Sequence, residues 1–218
     1  LQRKIMGEYQ SMILYKTVKK EAVAEQIIDK SKFIAHIKPV ETREEADEFI
    51  KNIRKKHRNA THNVPVIVIG EKFQVQWASD DGEPQGTSGV PILSMLINEE
   101  ITNVVVVVTR YFGGIKLGTG GLVRAYTGSA KLALEAGGIA EVKEVGVRVY
   151  RIDYNFLKSI QNLEKAGRFK IGKIDYGEKI ILECLTEREN MELVYRDIIE
   201  VTNGKAEMVS EKIAVIRI

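Results

Sequence analysis

Three short segments hold most of the side chains able to bind or transform a ligand: residues 58–63, 80–89 and 110–126. The last carries the cations Arg110, Lys116 and Arg124, the aromatic Tyr111, and Gly113, Gly114, Gly118 and Gly120. Glycines let a ligand approach the backbone, and a helix opening behind them offers free amides, so the segment has the chemistry an anion needs. The named phosphate motifs fail nonetheless. A Walker A loop needs Gly-Lys-Ser/Thr where Gly118-Thr119 follows Leu117, and a dinucleotide fingerprint from Gly118 needs glycine where Val123 stands. The same residues also fit tight turns and close helix–sheet packing, with Arg110 in a salt bridge.

In residues 80–89, Asp81 and Glu83 are hard oxygen ligands for a divalent cation, or a general base. The acidic alternation of an EF-hand is missing. The favoured reading is a turn at Asp80-Asp81-Gly82, with Thr87 or Ser88 capping the next helix. Thr87 and Ser88 lack the Gly-x-Ser-x-Gly elbow, which argues against a serine hydrolase. His62 has no second ligand at metal spacing; its alternatives are hydrogen-bonded structure, proton transfer or phosphate contact. Arg58 closes a basic run from Lys51, which reads as a phosphate footprint or, preferably, as cations favoured at a helix C-terminus. Cys184, in an apolar run, reads as core.

These segments must be held by regular elements. Apolar alternation predicts strands at 22–30 and 32–40 around a polar turn. A helix follows, capped by Thr42 with Glu45 three positions on and presenting Ala46, Phe49, Ile50 and Ile53 on one face. It ends near residues 55–58. Strands at 64–69 and 73–78, a loop at 79–89, a helix at 91–100 and an interior strand at 103–109 with five consecutive valines come next. A helix at 122–136 stops at Gly137-Gly138, and 139–146 reads as a linker. The remainder predicts strand 147–154, helix 155–166, strands 169–176 and 179–185, helix 188–201 and strand 206–217, the βαββαβ order of a ferredoxin-like split unit.

The 218 residues suit one large or two small domains, and 44% hydrophobic with 29% charged residues exclude a disordered or fibrous chain. A net charge of +3 excludes a polybasic arm. One cysteine excludes an internal disulfide and a cysteine-based zinc site and fits a reducing cytoplasm. No run has signal-peptide or membrane-span character, so a soluble cytoplasmic protein with no membrane partner is expected. Leu1 is not a usual initiator, and the first ten residues are left out of the fold reading.

The apolar strand, arginine, two aromatics and glycines of residues 104–118, together with residues 81–89 and 31–34, resemble the IMPACT family, known in bacteria as the YigZ family. The likeness spans residues 22–137. It implies an α+β protein: an IMPACT N-terminal-type domain at 12–138 with a ribosomal protein S5 domain 2-like fold, a linker at 139–146, and a ferredoxin-like domain at 147–218 similar to a C-terminal domain of elongation factor G. Eukaryotic relatives regulate translation with an added N-terminal module, and their partner is not carried over to this chain.

The expected function is a non-catalytic, translation-associated regulator that binds RNA, the ribosome or another anionic ligand. The expected site is Arg58, His62, Asp81, Glu83, Thr87, Arg110, Tyr111, Gly113, Gly114, Lys116, Gly118, Gly120 and Arg124. The strands at 169–176 and 206–217 lack the aromatic pattern of an RRM surface. The alternative is a kinase-like enzyme cradling a nucleotide on the same loop, with Asp81 or Glu83 holding Mg²⁺. A third reading is an adaptor for a translation-related protein, anchored by Tyr111 and Phe112. No catalytic residue, cofactor or resident metal is assigned.

Overall fold

The computed structural model describes residues 13–217. Residues 1–12, which include the expected first residue of the N-terminal domain, and residue 218 lie outside the described residues. The chain divides into two compact units, Leu14–Val142 and Lys143–Ile216. It is a mixed α/β protein with two antiparallel sheets. Among the described residues no helix is long and apolar enough to cross a membrane.

In the first unit β1 (Ile13–Val18), β2 (Ala22–Ile28) and β3 (Ser31–Pro39) precede α1 (Arg43–Lys56). Then come β4 (His62–Ile69), β5 (Val75–Ala78), α2 (Gly89–Asn98), β6 (Val104–Tyr111), α3 (Gly118–Gly137) and the start of β7 (Ile139–Ile152). The sheet order is β2-β3-β6-β4-β5, and every pairing is antiparallel. β6 is its centre, and the valine run follows from that position. Val104, Val106 and Val108 face a core built with α2 and α3, while Val105 and Val107 face α1 through Phe49, Ile50 and Ile53. A strand covered on both faces has no polar side to alternate with.

Helix α1 is the one expected. Thr42 Oγ1 accepts the Glu45 amide at 3.2 Å, and the buried face is Ala46, Phe49, Ile50 and Ile53. Helix α2 differs. Ser88 stands at its N-cap but its side chain caps nothing, and Thr87 donates instead to the Pro84 carbonyl. The cap is Asp80, whose Oδ1 accepts from the Ser88 and Gly89 amides at 3.1 and 2.9 Å and from the Ser88 hydroxyl at 2.7 Å. A tight turn makes this reach practicable: Asp81 and Gly82 take φ of 48° and 86°, and the Glu83 amide returns to the Asp80 carbonyl at 3.0 Å.

The segment at 139–146, read from sequence as a linker, is instead the first half of β7. Ala140 and Val142 are buried while Ile139 is exposed, which is strand alternation hidden among charged residues. β1, where no strand was expected, lies beside β7, and the Lys19 amide donates to the Gly138 carbonyl at 2.8 Å. Helix α3 begins at Gly118, four residues before its expected start.

The second unit continues β7 and adds α4 (Leu157–Lys165), β8 (Lys170–Tyr176), β9 (Ile180–Thr186), α5 (Met191–Val201) and β10 (Glu207–Arg217), in the expected βαββαβ order. Short 3₁₀ turns at Tyr154–Phe156 and Arg188–Asn190 open the two helices. β10 and β9 flank β7, and β8 lies outside β9. The core joins Tyr150, Ile152, Ile160, Leu182, Val194 and Ile198, with Cys184 buried among them as expected. Arg148 is buried and donates to the Met191 carbonyl at 2.6 Å and to Glu192 and Glu211.

The Asp80 cap is testable. Burial pushes its carboxyl up, but the bonds from Gly86, Ser88 and Gly89 outweigh burial and hold its pKa below the ordinary value. Its stabilisation is therefore present at neutral pH and is lost as pH falls through that depressed value. Asp80→Ala should lower the unfolding free energy in urea by about 1–2 kcal/mol at neutral pH. The difference from the parent chain should shrink in acid.

Candidate functional site

His62 opens β4 and Arg110 lies near the end of β6, and they are direct cross-strand partners. Their side chains therefore leave the same face of the sheet, the one that carries Val64, Val66 and Val108 into the α2–α3 core. Glu83 reaches between them from the loop shaped by Asp80. Its Oε1 accepts from Arg110 Nη1 and from the Tyr126 hydroxyl of α3, both at 2.7 Å. Glu83 and Arg110 are only 8% and 5% exposed, so this is a buried ion pair closed by a third donor. Burial first, then the bond to Glu83, push the Tyr126 hydroxyl far above its usual range, which keeps it protonated.

Arg110 spends the rest of its guanidinium unevenly. Nη2 reaches Ser31 Oγ at 3.4 Å, and the group lies over the rings of Phe33 and Phe112 at 5.5 and 5.3 Å. Its Nε is buried with no hydrogen-bond partner among the described residues. His62 Nδ1 stands 2.8 Å from the Asp81 carbonyl, and Nε2 stands 3.8 Å from Glu83 Oε2.

A cavity of about 470 Å³ opens above these groups. Its floor is His62, Glu83 and Arg110, its apolar walls are Pro84, Phe112, Leu117 and Leu122, and its rim holds Thr61, Lys116, Gly118 and Thr119. The start of α3 is part of that rim. This helix has no side-chain cap and no acidic residue in its first turn, so its leading amides keep their positive end toward the opening. Lys116 is exposed and has no partner among the described residues.

The cavity therefore gathers His62, Glu83, Arg110, Lys116 and Gly118 from the expected set. Asp81 does not line it: its Oδ1 accepts from Arg54 Nη2 at 2.7 Å and its Oδ2 from the Asn63 amide at 2.6 Å, which makes it a brace between α1 and β4. Thr87 closes the loop upstream of α2. Gly113 is a packing glycine, since a Cβ there would lie 2.0 Å from the Lys30 carbonyl carbon, and its amide donates to Ser31 Oγ at 3.2 Å. Gly114 bends the chain at φ 89° in open space. Gly120 sits in the first turn of α3 with Arg124 one turn on, and Arg58 and Arg124 are exposed cations away from the lining.

Tyr111 points to the opposite face, as strand alternation requires. Its hydroxyl lies 3.0 Å from His57 Nδ1, and His57 Nε2 lies 3.0 Å from His36 Nε2. Burial, then the neighbouring His57 and Lys56, hold His36 down to about 4; burial, then Lys56 and Lys32, lower His57. Sequence reasoning missed this chain because its members lie on β3, α1 and β6. It also missed the walls Pro84, Leu117 and Leu122, for which apolar type beside a glycine loop was the one available signal.

The chain is similar to known proteins. The Impact N-terminal domain family matches residues 29–134, which include the whole floor and rim of the cavity. The IMPACT family member YvyE of Bacillus subtilis (strain 168) is 43% identical over 194 residues, covering 89% of each chain. The chain belongs to the IMPACT family. The family member YigZ of Escherichia coli (strain K12) is 35% identical over 159 residues, 71% of this chain and 77% of that protein. A crystal structure of a hypothetical protein, 28% identical, covers 90% of this chain and 96% of its own with a TM-score of 0.57. At 194 residues, the YvyE match extends the IMPACT likeness beyond the N-terminal unit into the second.

Two outcomes follow. Arg110→Ala leaves Glu83 buried without its cation and should cost about 3–5 kcal/mol in denaturant unfolding, whereas Lys116→Ala should stay within about 0.5 kcal/mol. The second concerns pH. His36 must be neutral when folded, so its stabilisation is complete above its unfolded pKa of 6.5 and is lost as pH falls toward about 4. Unfolding free energy should drop across that window, and His36→Gln should flatten the drop.

Proposed function

We propose that this chain is a non-catalytic, translation-associated member of the IMPACT family that binds the phosphate backbone of RNA, free or on the ribosome, where β6 hands over to α3. The observation that carries the reading is the pairing of an uncapped, acid-free helix N-terminus with a cavity whose buried arginine keeps an unpartnered Nε. Lys116 at the rim supplies further local positive charge, and the exposed Arg58 and Arg124 add cations outside the lining, in a chain whose net charge is only +3. Local cations give modest, salt-sensitive binding.

The fold resemblance supports the same direction. It assigns the first unit a ribosomal protein S5 domain 2-like fold and the second a ferredoxin-like fold similar to a C-terminal domain of elongation factor G, and both recur in translation proteins. The flanking of β7 by β10 and β9, with β8 outside, accords with a ferredoxin-like unit. Fold likeness is an analogy, so the weight rests on the site.

The kinase-like alternative requires Asp81 or Glu83 to hold Mg²⁺. Both oxygens of Asp81 already accept hydrogen bonds, and Glu83 Oε1 is taken by Arg110 and Tyr126. That engagement favours the binding reading over phosphoryl transfer.

Binding of a labelled single-stranded RNA should weaken linearly on a log–log plot against salt. Lys116→Ala and Arg124→Ala should each weaken binding and reduce the slope by about 1 while leaving the melting temperature in place. RNA affinity that is indifferent to salt and to both substitutions would sink the proposal.

A further inference from the structure

The basic run at the end of α1 holds more charge than the end of a helix calls for. Lys51, Lys55, Lys56 and Arg58 are exposed, and none of them has an ion pair among the described residues. Arg54, within the same run, is held by Asp81 at 2.7 Å. No acidic residue occurs from Phe49 to Gly70. The helix dipole favours cations in the last turn, which accounts for Arg54, Lys55 and Lys56. It does not account for Lys51, one turn earlier. A like charge four residues from Lys55 costs helix stability, and Asp47, the acid one turn before Lys51, is taken by Arg43 at 3.0 Å. The positive field of the run also reaches the interior: burial first, then the charges of Lys56 and Lys32, hold the His57 imidazole below its ordinary pKa.

This charge stands at the end of the sheet that bears the cavity, and it is held there. In the turn after α1 the Ala60 amide donates to the His57 carbonyl and the Thr61 amide to the Arg110 carbonyl, both at 2.9 Å. Thr61 Oγ1 accepts the Phe112 amide at 3.0 Å. Thr61 and His62 then line the cavity. Arg58 precedes Thr61 by three residues, so their α-carbons are at most about 11 Å apart. The Arg54–Asp81 pair ties the helix to the loop whose carbonyl meets His62. A ligand long enough to leave the cavity past Thr61 therefore meets Arg58 next, and then Lys55 and Lys51, which lie one turn apart on one face of α1.

We propose that the C-terminal end of α1 is a second backbone contact for the RNA that enters the cavity, with successive phosphates on Arg58, Lys55 and Lys51. The inference rests on the RNA reading above for the class of ligand, and on the unpaired cations and the pinned turn for its path. The charge complementarity is between unpaired cations and a polyanion. Phosphate contacts of this kind position a strand and carry no sequence preference.

The test uses the full chain and two labelled oligouridylates, of about four and about sixteen nucleotides, followed by fluorescence anisotropy. Lys51→Gln/Lys55→Gln keeps good helix formers and removes a like-charge pair, so the melting temperature should not fall. It should weaken the long oligomer about tenfold at low salt and lower the slope of its log–log salt plot by about 1 to 2. The short oligomer, which the cavity alone can hold, should keep its affinity, whereas Lys116→Ala should weaken both. Lys19→Gln/Lys20→Gln removes two exposed cations beyond the far end of α3, about 30 Å from its first turn, and should change neither oligomer. A long oligomer indifferent to the α1 variant, or weakened as much by the Lys19/Lys20 variant, overturns the α1 path and leaves the RNA reading standing. Loss on the α1 variant with none on Lys116→Ala upholds the α1 contact and overturns the cavity as the point of entry. Polyglutamate that displaces the long oligomer as well as unlabelled RNA does overturns RNA as the occupant in favour of an acidic protein segment. Failure of both oligomers to bind overturns both readings.

Discussion

The buried pair between Arg110 and Glu83 is the constraint on which the site depends. A guanidinium and a carboxylate withdrawn from water are tolerated only when each is met by the other and their remaining bonding positions are filled. Here Glu83 is met by Arg110 and Tyr126, and Arg110 is met by Glu83, Ser31 and the rings of Phe33 and Phe112. The network therefore ties the loop before α2, the end of β6, the β2–β3 turn and the body of α3 to one point. Ser31 Oγ also accepts the Gly113 amide, and the closeness of Gly113 to Lys30 admits no side chain there. The glycine loop is held by the ion pair at one end and by backbone contact at the other.

That constraint is built on a sheet with no solvent face at its centre. Because β6 is covered by α1 on one side and by α2 and α3 on the other, each residue at its end must take a role on one side or the other. Arg110 turns to the α3 side and becomes the floor of the cavity. Tyr111, one residue on, turns to the α1 side and ends the His36–His57 chain. Neighbours in sequence thus belong to two separate polar clusters, one bordering the cavity and one packed beneath α1.

Much of this was legible where a single element carried the signal. The face of α1, its Thr42 cap, the glycine stop of α3 and the βαββαβ order all follow from spacing within one helix or strand. The failures share a different cause. The turn at Asp80-Asp81-Gly82 was legible from residue type, but that it carries the Asp80 carboxylate to the start of a helix eight residues downstream is a long-range contact that no local preference reports. The first turn of α3 is glycine-rich and low in helix propensity, so its start at Gly118 depends on tertiary support rather than on local preference. Ala140 and Val142 alternate with charged residues, and the pattern was masked by the glycines just before it. In the site itself, residue types were readable but directions were not: Asp81 and Tyr111 carry the same chemistry as Glu83 and Arg110 and are turned elsewhere.

The two helices on the α3 side of the sheet show why one end of this unit is suited to a ligand and the other is not. Both begin at a glycine, α2 at Gly89 and α3 at Gly118. At α2 the leading amides are saturated by Asp80, whose carboxylate lies within hydrogen-bonding distance of Ser88 and Gly89. At α3 no side chain caps the helix and no acid occupies its first turn, although Thr119 stands there. A helix end left open in a folded protein must find water or a ligand. The carboxylate that lines the same cavity, Glu83, is committed to Arg110 and Tyr126 and cannot turn to serve as a cap without leaving a buried cation unpaired. The ion pair that holds the loops together is thus also what keeps the helix N-terminus free, so stability of the fold and availability of the site come from the same interaction.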